Sequence, residues 1–303
     1  MKAGGLVAVT GASGYIGRHF LRHQARKGQS VIAVVRRSLD LPDARDVRVA
    51  DVTDWEALVR AFAGCDAVVH LACLPVARCQ QDPTAGFRVN TLGTFYVLMA
   101  AREAGVRRVV YTSSAQVYGR PAVRPVPESA PCQPVTMYGA SKLCGEVWCR
   151  TLARAGGPET VVLRLFNAYG PAADRTPRPT VETLFLRAVL AGQEPVVRGH
   201  PEHMRDFVHV SDVVRALDLA LTTHWAAGQP INIGAGRGVT MIELAEIVVQ
   251  LLGSDLRPQV EPPSEDPIRL EADITRASLW LGWAPRVTLE EGLLAMMEAS
   301  RKA

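Results

Sequence analysis

Lysine is nearly absent: the 303-residue chain has 4 lysines beside 30 arginines, and its 34 basic and 30 acidic side chains leave a formal charge of +4. The basic residues are scattered, whereas a nucleic-acid surface gathers them into a patch or stripe, so no nucleic-acid partner is expected. Long apolar runs are missing too. None reaches the ~18 residues of a membrane-spanning helix, and no membrane partner is expected. The apolar run Leu6 to Val9 soon meets Gly11, too early for the core of a secretion signal; the location expected is cytoplasmic. The cysteines (Cys65, Cys73, Cys79, Cys132, Cys144 and Cys149) have no C-x-x-C pairing and no zinc-like histidine spacing. They read as small buried hydrophobes, and no metal site is expected.

What remains is an ordinary globular composition, 48% hydrophobic and 21% charged, which excludes disorder, collagen and coiled coil. The first 165 residues alternate short β-branched runs with helical stretches. Strands are expected at Leu6 to Thr10, Val31 to Val35, Val47 to Ala50, Ala67 to His70, Arg108 to Thr112 and Thr160 to Leu165. Helices are expected at Tyr15 to Lys27, from Asp54 to about Ala63, at Thr84 to Ala104 and at Met137 to Ala155. Strands that are apolar throughout are buried on both faces, and alternation with helices implies a parallel sheet. The fold expected is a doubly wound α/β domain of the Rossmann kind.

After Asn167 the rhythm breaks. Gly170-Pro171, then Pro177 and Pro179, mark a long loop before a helix at Val181 to Ala191. A strand at Asp206 to His209, a helix from Ser211 and a strand at Ile231 to Ile233 follow. Pro258 to Pro267 is proline-rich and acidic, and Leu289 to Ala299 is a final amphipathic helix. The expected division is a dinucleotide-binding domain of residues 1–166 with about 206–235, and a smaller, partly interleaved substrate lobe of 167–205 with about 236–303. Two helices are apolar nearly all round: one carries Val89, Leu92, Phe95, Tyr96, Leu98 and Met99, the other Leu143, Val147, Trp148 and Leu152. Such helices need a second cover, supplied either by a partner chain in a homodimer or by the C-terminal lobe.

The first chemical motif is Val9-Thr10-Gly11-Ala12-Ser13-Gly14-Tyr15-Ile16-Gly17, between the first strand and the first helix. Glycines there permit a tight turn, close approach to a pyrophosphate and packing of helix on sheet. The helix N-terminus supplies free N–H donors. At the end of the second strand an NAD site usually has a carboxylate, but this chain has Arg36-Arg37 and no acid before Asp40. Two guanidinium forks suit a 2′-phosphate. NADP is therefore the cofactor expected, with NAD possible if both arginines are merely solvated.

The second motif is Tyr138-Gly139-Ala140-Ser141-Lys142, with Ser113-Ser114 upstream. Positions i and i+4 share a helix face. An ammonium about 4 Å from the phenol, at an effective dielectric of ~20, is worth roughly 4 kcal/mol, or about three pKa units. On that reading Lys142 brings Tyr138 near neutrality, where proton exchange with a carbinol is efficient.

With these residues in view the chain resembles the NAD(P)-dependent epimerase/dehydratase family of extended short-chain dehydrogenase/reductases, which act mostly on nucleotide sugars. The resemblance extends over nearly the whole chain, through Asp51-Val52, His70-Leu71-Ala72, Asn90, the run Val109 to Gly119, Arg164-Leu165-Phe166-Asn167, Arg205 to Asp212, and Asn232-Ile233-Gly234. It implies that Ser114, Tyr138 and Lys142 are the catalytic group. Gly11, Ser13, Gly14, Tyr15, Ile16, Gly17, Arg36, Arg37, Asp51, Val52, Leu71, Ala72, Asn90, Thr112, Leu165 and Phe166, with Tyr138 and Lys142, would contact the cofactor. Ser114, Asn167 and Arg205 would hold a nucleotide diphosphate sugar.

Departures from the family pattern narrow the chemistry. Dehydratases carry an acidic pair where this chain has Ala115-Gln116, and neither residue can take a C–H proton or protonate a leaving hydroxyl. The family's late arginine is replaced by Pro263 in Pro263-Ser264-Glu265-Asp266, so Arg257, Arg269 or Arg198 compensates, or the substrate is unusual. His200 and His203, on a polar loop, read as solvated. The expected activity is a nucleotide-sugar 4-epimerase. The alternatives are an NADPH-dependent reductase of a keto-sugar or other ketone, a dehydratase using another acid, and a non-enzymatic NADP sensor.

Overall fold

The computed structural model describes residues 5–172, 180–224, 228–262 and 266–301. Its strands are β1 (Val7–Thr10), β2 (Val31–Val35), β3 (Asp46–Val49), β4 (Ala67–His70), β5 (Arg108–Ser114), β6 (Glu159–Leu165), β7 (Asn167–Tyr169), β8 (Val196–Val197), β9 (Met204–His209), β10 (Pro230–Ile233), β11 (Gly238–Thr240) and β12 (Gln259–Val260). The α-helices are α1 (Tyr15–Arg26), α2 (Trp55–Phe62), α3 (Val76–Gln81), α4 (Pro83–Gly86), α5 (Gly93–Glu103), α6 (Met137–Arg154), α7 (Val181–Leu190), α8 (Val210–Ala220), α9 (Met241–Leu251), α10 (Thr275–Leu281) and α11 (Leu289–Arg301).

Seven strands form the central sheet in the order β10-β6-β5-β4-β1-β2-β3, all pairs parallel. This is the expected doubly wound sheet. Its inner strands β1, β2 and β4 are buried at every position, which is why they read as unbroken apolar runs. One face is packed by Phe20 and Leu21 of α1 and by Val213 and Leu217 of α8. The other is packed by Leu58 of α2, Val97 and Leu98 of α5 and Cys149 of α6.

Two expectations need correction. The stretch Thr84 to Ala104 is not one regular helix: α4 passes through a π-helical segment, Phe87–Leu92, before α5. The widened turn carries Asn90. The strand expected at 206–209 does not join the central sheet; β9 pairs with β7 and β11 in a separate three-stranded sheet. It carries Arg205 and Asp206 mid-strand, a charge pattern foreign to a central parallel strand. Helix α9 follows β11, and Thr240 and Glu243 cap it reciprocally in the pattern that marks a helix start. Pro177, Pro179 and Pro263-Ser264-Glu265 lie outside the described residues.

The small lobe has its own core of Phe185, Leu186, Phe207, Leu244, Val248 and Leu293. Among the described residues that core includes none of the apolar residues of α5 and α6, although Leu143 of α6 packs in a cluster with Ala272 and Leu270. Helix α5 packs on α2 and α6, and α6 on β5 and β6, with Phe95 of α5 on Trp148 of α6 at 5.1 Å. Leu98 and Leu152 are buried, while Val147 is 42% exposed and Phe95, Tyr96, Met99 and Trp148 remain half-buried.

Candidate active site

The glycine turn is shaped by close approach. Gly11 has φ +70°, and a Cβ there would stand 2.6 Å from the backbone nitrogen of Ala72. A Cβ on Gly17 would collide with the Gly11 carbonyl and lie 2.7 Å from Ala12 Cα. The turn closes with Gly14 N–H donating to Gly11 O at 2.9 Å. The resulting cradle, at the carboxyl ends of β1 and β4 and the start of α1, fits a dinucleotide pyrophosphate. Replacing Gly11 with alanine is expected to weaken coenzyme binding at least tenfold in titration calorimetry, because a left-handed backbone and a backbone clash are imposed together. An unchanged affinity would mean that the coenzyme does not sit here.

Beneath the cradle, polar side chains lace the strand ends. Thr10 Oγ1 bonds His70 Nδ1 at 2.7 Å, and His70 Nε2 bonds Thr94 Oγ1 at 3.0 Å. Burial, with the Lys142 charge second, pulls the His70 pKa down to about 3, so the ring is neutral. Thr112 Oγ1 donates to His70 O at 2.9 Å. Asn90 is 1% exposed. Its Oδ1 accepts from Leu74 N–H at 2.7 Å, and its Nδ2 donates to Leu74 O at 3.1 Å and Ser141 Oγ at 3.2 Å. Here Asn90 holds the loop after β4 against α6. Asp51 Oδ1 accepts from the N–H and hydroxyl of Thr53 at 2.9 and 2.8 Å. Val52 packs against the start of α5, where a Cβ on Gly93 would be 2.9 Å from it. Arg36 and Arg37 are exposed and make no ion pair or hydrogen bond among the described residues.

Helix α6 brings Tyr138 and Lys142 to the ends of β4 and β5. Thr136 caps it, accepting from Gly139 N–H at 3.0 Å and donating to Gln116 Oε1 at 2.9 Å. Gln116 is thus held by the cap, and Ala115 is 4% exposed; no acid stands at this turn. Lys142 is 3% exposed and donates to Thr112 O at 2.8 Å. Its Nζ lies 5.7 Å from the Tyr138 ring centre. Tyr138 is half-buried. Burial raises its pKa well above 10, the neighbouring Cys73 raises it further, and a hydrogen bond with Ser114 opposes them. This direction is opposite to the lowering expected from Lys142: the ammonium is directed at a carbonyl, and desolvation outweighs it.

Leu165 and Phe166 are 8% and 7% exposed at the end of β6. Asn167 starts β7 in register with Phe207 of β9, which places it near Arg205 on the neighbouring strand. Burial lowers the Arg205 pKa, and Glu182 in the first turn of α7 opposes that effect. Asp206 accepts from the N–H groups of Ala235, Gly236 and Ala272, fixing β9. Of the arginines considered as replacements for the late one, Arg269 pairs with Glu202 and Arg198 with Glu261, while Arg257 is exposed. His203 is not simply solvated: its Nδ1 accepts from Ile268 N–H at 2.8 Å.

Sequence reasoning missed a buried polar network behind α6. Glu146 receives Arg164 Nε and Nη2 at 2.9 and 2.7 Å and Ser113 Oγ at 2.5 Å. Arg164 Nη1 reaches Tyr118 Oη at 2.9 Å, and Tyr118 donates to Asn232 Oδ1 at 2.7 Å. Glu146 follows Lys142 by four positions, so the signal was a second charge on one helix face.

A family model described as the NAD dependent epimerase/dehydratase family matches residues 7–234. A UDP-glucose 4-epimerase of Mycolicibacterium smegmatis is 33% identical over 307 residues, covering 97% of each chain. The crystal structure of UDP-glucose 4-epimerase from Thermotoga maritima with UDP-glucose superposes with TM-score 0.89 at 32% identity, covering 98% of this chain and 99% of that one. The UDP-glucose 4-epimerase of Thermus thermophilus in complex with NAD gives 0.86 at 28% identity, covering 98% and 99%.

Proposed function

The chain belongs to the NAD-dependent epimerase/dehydratase family, and from that premise we propose that it epimerises C4 of a nucleotide diphosphate sugar. The observation that carries the reading is the meeting of Ser114, Tyr138 and Lys142 beside the glycine cradle, with Gln116 held by the α6 cap where a dehydratase needs an acid. Tyr138 takes the proton of the sugar hydroxyl. Ser114 hydrogen-bonds the same oxygen as it becomes a carbonyl, and Lys142 keeps a positive charge beside the phenolate. A bound oxidised nicotinamide would supply the acceptor for the C4 hydride and its donor on return to the other face, with a positive charge near the phenol. Asn167 and Arg205 hold the diphosphate, whose charge suits a half-enclosed guanidinium. The test is interconversion of UDP-glucose and UDP-galactose by the purified protein, followed by NMR. No interconversion, with NADPH oxidised only when a ketone is added, would assign it as a reductase.

Arg36 and Arg37 favour NADP over NAD, although the Thermus relative is described with NAD. Both guanidinium groups are exposed and free to take a 2′-phosphate. NADP is expected to bind about tenfold tighter than NAD in calorimetry. Arg36→Ala should remove most of that difference; tighter binding of NAD by the native chain would refute it. A homodimer is proposed through the outward faces of α5 and α6, around Val147 and Trp148. A monomeric mass in light scattering at micromolar concentration would end that idea. The dinucleotide domain of 1–166 with about 206–235, and the substrate lobe of 167–205 with about 236–303, are proposed as the working division. A cytoplasmic location accords with six free cysteines.

A further inference from the structure

The dinucleotide helix and the substrate strand meet at two backbone carbonyls. Tyr15 and His19 lie one turn apart on α1, their rings edge to face at 5.2 Å. Both reach across to the chain leaving β7. The Tyr15 hydroxyl donates to Gly170 O at 3.0 Å, and His19 Nε2–H donates to Pro171 O at 3.0 Å. The far side of Gly170 is closed by His209, the last residue of β9. Gly170 has φ +131°, and a Cβ there would stand 2.8 Å from His209 Nε2. Tyr169 packs on the same imidazole, ring centres 5.5 Å apart, and His209 Nδ1 is engaged with Ser211 Oγ at 2.8 Å. Gly170-Pro171 is thus gripped between the first two turns of α1 and the end of β9. The two strands that meet at this grip, β7 and β9, carry Asn167 and Arg205.

We propose that Tyr15 and His19 are positioning residues that couple occupation of the dinucleotide cradle to the affinity for the nucleotide sugar, through Gly170-Pro171. The inference rests on the function proposed above. A pyrophosphate seated at the first turn of α1 orders that turn. The same two turns of α1 hold Gly170-Pro171 where β7 and β9 meet, so a shift at one site changes the placing of Asn167 and Arg205 at the other. By linkage the effect runs equally in both directions. Neither side chain needs to touch the reacting atoms.

The experiment is calorimetric titration of UDP-glucose into charcoal-stripped protein, with and without saturating NADP or NAD. In the native chain the coenzyme is expected to tighten UDP-glucose about tenfold, within the usual range of coupling between sites. In Tyr15→Phe and His19→Leu the ratio should fall below about threefold. Tyr15→Phe keeps the ring on His19 and loses only the hydroxyl, so the fold is preserved. His19→Gln retains an N–H donor and should stay near the native ratio. A merely structural role would lower the melting temperature and leave the ratio alone, which overturns the inference; so would a native chain without coupling. If UDP-glucose binds neither with nor without coenzyme, the proposed function itself fails, and the coupling with it.

Discussion

Tyr138→Phe is expected to lower turnover about 10³-fold while leaving coenzyme and nucleotide-sugar binding nearly intact, since one general acid–base group is worth 10²–10⁴. The phenyl ring still fills the space beside Lys142, whose ammonium lies 5.7 Å from the native ring. Only the oxygen that exchanges the proton is lost. A sign follows for the pH profile. Burial raises the phenol's pKa above its ordinary value, and the positive charges of Lys142 and of a bound oxidised nicotinamide would oppose that rise. Turnover of the native chain should therefore fall as pH drops through the phenol's pKa in the bound complex, whereas residual turnover in Tyr138→Phe should lack this limb. Equal turnover in the two proteins, measured by steady-state kinetics with UDP-glucose, would remove Tyr138 from the chemistry.

The failure to foresee the high phenol pKa shows where sequence reading stops. Spacing put Tyr138 and Lys142 on one face, and they are. It carried no information on the direction of the lysine tip, which is decided by Thr112 O at 2.8 Å, a carbonyl from a strand 30 positions away. The same division holds elsewhere. Strands β1, β2 and β4 were legible because burial on both faces leaves only apolar residues. The placing of β9 was not, because four apolar or aromatic letters and two charges suit either sheet until the partner strands are known. Gly11 and Gly17 were legible as a turn, but the reason for each is a specific backbone atom, Ala72 N and Ala12 Cα. The resemblance implies a cofactor contact for Asn90, whereas its partners Leu74 and Ser141 come from distant segments, and no local pattern joins them.

The same long-range closure makes Glu146 the position at which a single substitution is expected to cost most in stability. Arg164 and Glu146 are 5% and 4% exposed; burial alone would lower the guanidinium's pKa, and the Glu146 carboxylate more than reverses that. Glu146→Ala leaves Arg164 buried with its charge uncompensated and Ser113 Oγ without its 2.5 Å acceptor. Breaking one side of a buried pair costs about 3–5 kcal/mol, read as a drop in urea midpoint. Replacing both partners, as Glu146→Leu with Arg164→Met, should recover much of this, because no charge is then left in the interior. Catalysis should not recover with it. Glu146 anchors α6 one turn beyond Lys142, and Ser113 precedes Ser114 on β5, so the pair sets the spacing between phenol, ammonium and serine. A double variant that regained stability and full turnover together would show that the network only fills the core and has no part in aligning the site.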